Sequence, residues 1–248
     1  MEPLKTTGIV VRTHESAEAN MMMTVISPEL GRISVYARGI KSRRHKSRSS
    51  ASPLCYSEFI LKPRGNIYSL TEATLIESFY GIRTSLEKLS LAMYMASLAE
   101  TLSAEGMEAA GLIKLLLNSL YYLEKDLKQF EDLRYMFEIR ALDNAGFMPG
   151  FDRCGECGAE DVSFFDIRSG AALCKRCAAL YAMPLSRECV SLTRYYIGAP
   201  LKKALSCSAP KNIAGEGIHM LERFISEHIG HIKAKDYLNN IINMKDTE

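Results

Sequence analysis

Tryptophan is absent from this chain of 248 residues, and so is any apolar run long enough to span a bilayer. The longest candidate, Leu112 to Leu123, is broken by Lys114, Asn118 and Ser119. No glycine loop of the Walker type occurs, which argues against a nucleotide-driven motor. Gly215 and Gly217 stand alone, without the strand-turn-helix setting of a dinucleotide site. Net charge is nearly absent, at +2, so overall charge marks no polyanion binder. One local absence matters more. From Leu30 to Ser57 there is no Asp or Glu, yet Arg32, Arg38, Lys41, Arg43, Arg44, Lys46 and Arg48 all fall there.

Histidine is sparse, and none of the five is spaced to complete a metal site with the cysteines. His228 and His231 read as cations at a helix end. Glu131, Asp132 and Glu138 recur at helical spacing among basic residues, and read as surface charges, not a catalytic pair. Cys55, Cys189 and Cys207 read as small buried hydrophobes, and Met21-Met22-Met23 as barrel core or edge. No enzyme is indicated.

Among the residues present, the four cysteines Cys154, Cys157, Cys174 and Cys177 are the strongest signal. Two C-x-x-C knuckles at this separation aim four soft thiolates at one point, which suits tetrahedral zinc. Gly155 and Gly158 supply backbone freedom for the knuckles. Between them, Val162–Ile167, Arg168–Gly170 and Ala172–Leu173 read as strand, turn and strand, a zinc-ribbon hairpin. Disulfides are the competing reading. The charged segment after Met1 and the odd total of seven cysteines favour a reducing, cytoplasmic setting. With all four ligands supplied by cysteine, no position is left for water or substrate, so the expected zinc is structural.

Five strands are predicted in the first eighty residues: Thr6–His14, Asn20–Ser27, a third through Arg38, Tyr56–Pro63 and Ile67–Ile76. In the third, Ile33, Val35 and Ala37 point one way and Arg32, Ser34, Tyr36 and Arg38 the other. Such a set suggests a small barrel. The OB-fold is the common five-stranded one, though pattern alone does not separate it from an SH3-like barrel. Helices follow: one opened by a capping box at Thr84–Glu87, then about 108–124, 127–145 with a stripe of Phe130, Leu133, Phe137 and Ala141, 188–197, 201–205, 217–229 and 235–244. The fold class is α+β multidomain: an OB-fold barrel over 1–80, then a helical domain over 81–248 carrying the zinc module at about 150–182. The stretch 42–52 is of low complexity, rich in Arg, Lys and Ser.

Basic side chains interleaved with an aromatic on a small barrel are how single strands are commonly gripped. Arg32, Tyr36, Arg38, Lys41, Arg43, Arg44, Lys46 and Arg48 are therefore the candidate nucleic-acid contacts. A solvated loop without a partner and an acidic protein surface are the alternatives. Lys175 and Arg176, inside the second knuckle, either extend that surface or are solvated turn charges.

In order along the chain, these pieces resemble the bacterial RecO family of recombination mediators. The likeness rests on Gly31–Gly39 leading into Arg43–Arg48, on Phe137–Pro149 before the first cysteine, on the cysteine quartet with Phe164 and Gly170, and on Ile229–Lys235. His45 departs from it, since family members often carry proline there, and some members lack the zinc cysteines. The resemblance implies an OB-fold, a helical region and a zinc-bearing portion. It implies binding of single- and double-stranded DNA, strand annealing, contact with RecR and with the acidic tail of single-strand-binding protein, and help in loading RecA, all without bond cleavage. The setting would be the cytoplasm, at the nucleoid. A zinc-ribbon transcription or RNA-binding factor, and a zinc-stabilised DNA-processing enzyme, are the competing classes.

Overall fold

A computed structural model describes residues 2–15, 19–42 and 45–245, so Arg43 and Arg44 lie outside the described residues. By compactness the chain forms two units: residues up to Glu124 together with those from Ala234 onward, and Lys125–Lys233.

In the first unit β1 (Leu4–Glu15), β2 (Met21–Ser27), β3 (Gly31–Ala37), β4 (Tyr56–Arg64) and β5 (Ile67–Glu77) close a barrel in the order β1-β2-β3-β5-β4. All neighbours are antiparallel except β3 and β5, which run parallel with Val35 opposite Tyr68 and Tyr36 opposite Ser69. This is the Greek-key arrangement of an OB-fold. The period of two in β3 is obeyed. Ile33, Val35 and Ala37 are buried with Val10, Met23, Val25, Phe59 and Leu61, whereas Arg32 and Ser34 are exposed and Tyr36 is half-buried. Met23 is core and Met21 packs at its margin.

α1 (Leu86–Leu102) and α2 (Ala110–Glu124) pack on each other, and pack against β1 and β2 respectively. The cap of α1 is one residue later than the sequence suggests. Ser85 accepts from the Lys88 N–H at 3.3 Å, while the Thr84 hydroxyl donates to the Gly81 carbonyl, so Glu87 is no capping-box partner. α1 buries residues around most of its circumference, because the barrel and α2 cover it from different sides. Glu100 ties it to the barrel: its carboxylate meets Arg12 at 2.6 Å, and its carbonyl accepts from Arg32 at 3.3 Å. α7 is the last helix, Lys233–Lys245.

In the second unit α3 (Phe130–Asn144) is the central helix, with α4 (Arg187–Gly198), α5 (Leu201–Ser206) and α6 (Lys211–His228) packed around it. A small sheet ordered β7-β6-β8 joins β6 (Phe164–Asp166), β7 (Ala171–Leu173) and β8 (Met183–Pro184). The third strand, β8, adds to the expected hairpin.

α3 corrects the reading of its acidic residues as surface charges. Asp132 and Glu138 are both 0% exposed. Asp132 takes Lys128 Nζ at 2.6 Å, the Ala209 N–H at 2.9 Å and the Tyr196 hydroxyl. Arg134 bridges Glu138 at 2.8 Å and Glu222 at 2.7 Å, and the half-buried Glu131 meets Lys211 at 2.8 Å. Buried carboxylates require such donors; for Asp132 and Glu138 two, Lys128 and Arg134, lie one helical turn away, and two, Tyr196 and Ala209, lie far along the chain.

α6 begins six residues before the expected Gly217, directly after Pro210, whose fixed backbone angle suits a helix start. Two glycines within it obscure the helical pattern. Gly217 is there for contact: a Cβ would lie 2.3 Å from the Tyr135 ring, so only glycine lets α6 approach α3 this closely.

Candidate metal centre and nucleic-acid interface

The four cysteines converge. The sulfurs of Cys154, Cys157, Cys174 and Cys177 all lie within 4.8 Å of one another, and Cys157 and Cys174 are 3.7 Å apart. A tetrahedron with metal–sulfur bonds of about 2.3 Å has edges of about 3.8 Å, so the set fits a zinc-sized ion. Both knuckles are hydrogen-bonded turns. The first is closed by Gly158 N–H to the Cys154 carbonyl at 2.9 Å, the second by Cys177 N–H to the Cys174 carbonyl at 3.1 Å. Gly158 has φ +73°, the left-handed backbone that glycine allows. Gly155 has a different reason from the one expected: its φ is not positive, but a Cβ would stand 2.8 Å from that of Ala171. The module rests on an aromatic stack, Phe151 on Phe165 at 5.1 Å and Phe165 against Phe224 at 6.1 Å.

The thiols are electrostatically unequal. Backbone hydrogen bonds, that from Cys174 foremost, bring Cys154 down to about 6. The backbone at Ala159 is the largest cause lowering Cys157. Crowding by the other sulfurs, Cys157 first, pushes Cys177 up to about 12. Such a cluster favours some thiolate charge but not four at once, which is the electrostatic demand a bound cation relieves. The neighbouring Cys157 and Cys177 sulfurs raise the Arg176 guanidinium above its ordinary range, and the side chain is exposed. Among the described residues this is the one cluster with metal-ligand geometry. His228 takes no part; its Nε2 is 2.7 Å from the Ile167 carbonyl oxygen and its ring lies on Phe224.

On the barrel, β3 presents Arg32 and Tyr36 on its outer side, with the exposed Arg38 just beyond the strand. The basic loop continues as tight turns, His45 N–H to Ser42 and Arg48 N–H to His45, into a short 3-10 turn at Ser49–Ala51. Its serines are clips. The Ala73 N–H donates to Ser47 Oγ at 2.9 Å, and the Ser50 hydroxyl donates to the Ala73 carbonyl at 3.2 Å, both serines being buried. Lys46 and Arg48, between the clips, are exposed. The low-complexity composition thus belongs, over residues 45–51, to a loop pinned on β5. His45 sets its start, its Nδ1 accepting from the Ser47 N–H at 3.2 Å.

Two expected contacts are already engaged. Lys41 is paired with Glu15 at 2.7 Å, and Arg32 is turned toward α1 through its bond to the Glu100 carbonyl. The local stretch lacks acids, but the fold brings one from β1. Conversely, sequence reasoning missed Arg64. Its guanidinium lies 5.3 Å from the centre of the Tyr36 ring. Parallel pairing of β3 with β5 and the β4–β5 hairpin carry it there. The turn signal at Pro63–Asn66 was visible; its spatial neighbour was not.

The chain matches the family described as Recombination protein O N terminal over residues 1–79, and Recombination protein O C terminal over residues 83–237. It is 32% identical over 235 residues to DNA repair protein RecO of Acetivibrio thermocellus, covering 92% of this chain and 93% of that one. To DNA repair protein RecO of Bacillus pumilus it is 28% identical over 246 residues, covering 98% and 96%.

Proposed function

The chain belongs to the RecO family of DNA repair proteins, and from that premise we propose that it is a non-catalytic recombination mediator. It binds single- and double-stranded DNA, anneals complementary strands and, with RecR and single-strand-binding protein, helps load RecA on coated single strands. The observation that carries this reading is the outer side of β3 with its pinned loop. Tyr36, Arg38, Lys46, Arg48 and Arg64 bring cations and one aromatic ring to the barrel unit. Arg32, Lys41, Arg43 and Arg44 complete the proposed contact set.

The chemistry follows from what annealing needs. Two strands repel through their phosphates. Cationic side chains neutralise that charge and release counterions, and the bases stay free to pair. A single ring such as Tyr36 stacks on a base without reading its sequence. No nucleophile or general base is required. Cys154, Cys157, Cys174 and Cys177 would hold zinc, whose role is to brace the module; with four cysteine ligands there is no open coordination position for a reacting group. Among the described residues no helix is long and apolar enough to cross a membrane. The proposed place of action is the cytoplasm, at the nucleoid.

The test is annealing of complementary oligonucleotides by purified protein without nucleotide or added divalent metal. Faster annealing with intact strands is expected. Cleavage that disappears when acidic residues are replaced would overturn the reading in favour of a DNA-processing enzyme. Preference for one duplex sequence would point instead to a transcription factor.

A further inference from the structure

The hairpin turn and second knuckle of the four-cysteine module present groups that the metal centre does not use. Leu180 is fully exposed and Tyr181 is 64% exposed, an unusual state for two adjacent large apolar side chains. The guanidinium of Arg168, from the β6–β7 turn, lies 5.6 Å from the centre of the Tyr181 ring. Lys175 is exposed and forms no ion pair among the described residues. The module's acids are otherwise occupied or belong to the first knuckle and the segment after it. Asp166 accepts from the Arg168 N–H and the Ser169 hydroxyl, both at 3.0 Å. Glu160 meets Arg153 at 3.1 Å, and Asp161 meets Arg187 at 3.8 Å. Arg168 therefore presents cationic charge beside an accessible aromatic face, and the second knuckle of the same module adds the exposed Lys175.

We propose that Arg168, Lys175 and Tyr181 form a second contact site for single-stranded nucleic acid, separate from the barrel. It rests on the annealing reading above, and it deepens it. Annealing handles two strands, and the two units of this chain each carry a tyrosine with an arginine over its ring: the half-buried Tyr36 with Arg64, and the exposed Tyr181 with Arg168. A base stacking on Tyr181 gains a flat apolar partner, and its flanking phosphates gain Arg168 and Lys175. Leu180 adds apolar surface beside the ring. Charge decides against a plain apolar partner, because the Arg168 guanidinium beside the ring would be desolvated without compensation.

The experiment uses the full chain and oligonucleotides carrying 5-iodouracil. Irradiation is expected to yield an adduct on Tyr181 as well as on the barrel. Tyr181→Ala should slow annealing about tenfold, and Tyr181→Phe, which keeps the ring, should restore most of the rate. Adducts confined to the barrel, or parental annealing by Tyr181→Ala, would overturn the site. So would protection of Tyr181 by an acidic peptide but not by oligonucleotide, which would assign the patch to a protein partner. The adduct reads this site directly, whereas Arg38→Glu with Lys46→Glu reads the barrel, so failure of one proposal is distinguishable from failure of the other.

Discussion

Asp132 shows how a single residue can carry a meaning that its sequence neighbours hide. Its carboxylate gathers the Lys128 ammonium, the Tyr196 hydroxyl and the Ala209 N–H, and so ties the start of α3 to α4 and to the segment between α5 and α6. Lys128 is itself buried, with 2% of its side chain exposed, and also donates to the Cys207 carbonyl. Burial, and then the bond to Asp132, push the Tyr196 phenol far above its ordinary range. Replacing Asp132 by Ala leaves an ammonium buried without its counter-charge. A loss of about 3–5 kcal/mol of unfolding free energy is expected, measurable by denaturant titration. Spacing alone could not distinguish this residue from a solvated one: the i−4 pairing with Lys128 is equally common on exposed helix faces, and its other two partners lie 64 and 77 positions downstream. Gly217 was opaque for the same reason, its meaning being the Tyr135 ring on another helix.

Among the elements, the four-cysteine module was the most legible, because its chemistry sits in two local turns whose spacing is part of the sequence. Strand β8 was less so: two residues carry no periodicity, and only their pairing with Phe164 and Phe165 makes them a strand. The module's core is small, Phe151, Val162, Phe165, Ala172, Leu173 and Leu185 on short strands and turns, so its order should depend on the metal. Cys174→Ser is expected to release zinc and to expose the module to protease, while the barrel keeps its resistance. Limited proteolysis with metal analysis checks this; zinc retained at one per chain with unchanged digestion would contradict it. In the barrel, the loop over residues 45–51 is held by Ser47 and Ser50 on Ala73. The serines that make its composition look disordered are the residues that order it.

For the whole molecule, the net charge of +2 conceals a division of labour between charges that hold the fold and charges left for a partner. Arg134 and Lys128 are consumed by buried pairs, and Lys41 by Glu15, whereas Arg38 and Lys46 are exposed and make no ion pair among the described residues. Binding of single-stranded DNA should accordingly weaken steeply with salt. Arg38→Ala and Lys46→Ala should each lower the slope of log affinity against log salt by about 1, and Lys41→Ala by less, since its charge is already matched. Equal slopes for all three in salt titrations would contradict this division. What the sequence determined by itself was whatever lies within one element's reach: the alternation of β3, the knuckles, the helical stretches and the density of cations after Arg32. Periodicity and ligand spacing are local, so they survive without coordinates. Only the tertiary structure decided which charges are spent internally, that Arg64 joins Tyr36, and that Arg168 covers Tyr181. Each of these depends on strands or turns distant in sequence meeting in space, and the pairing energies that select such meetings leave no periodic trace along the chain.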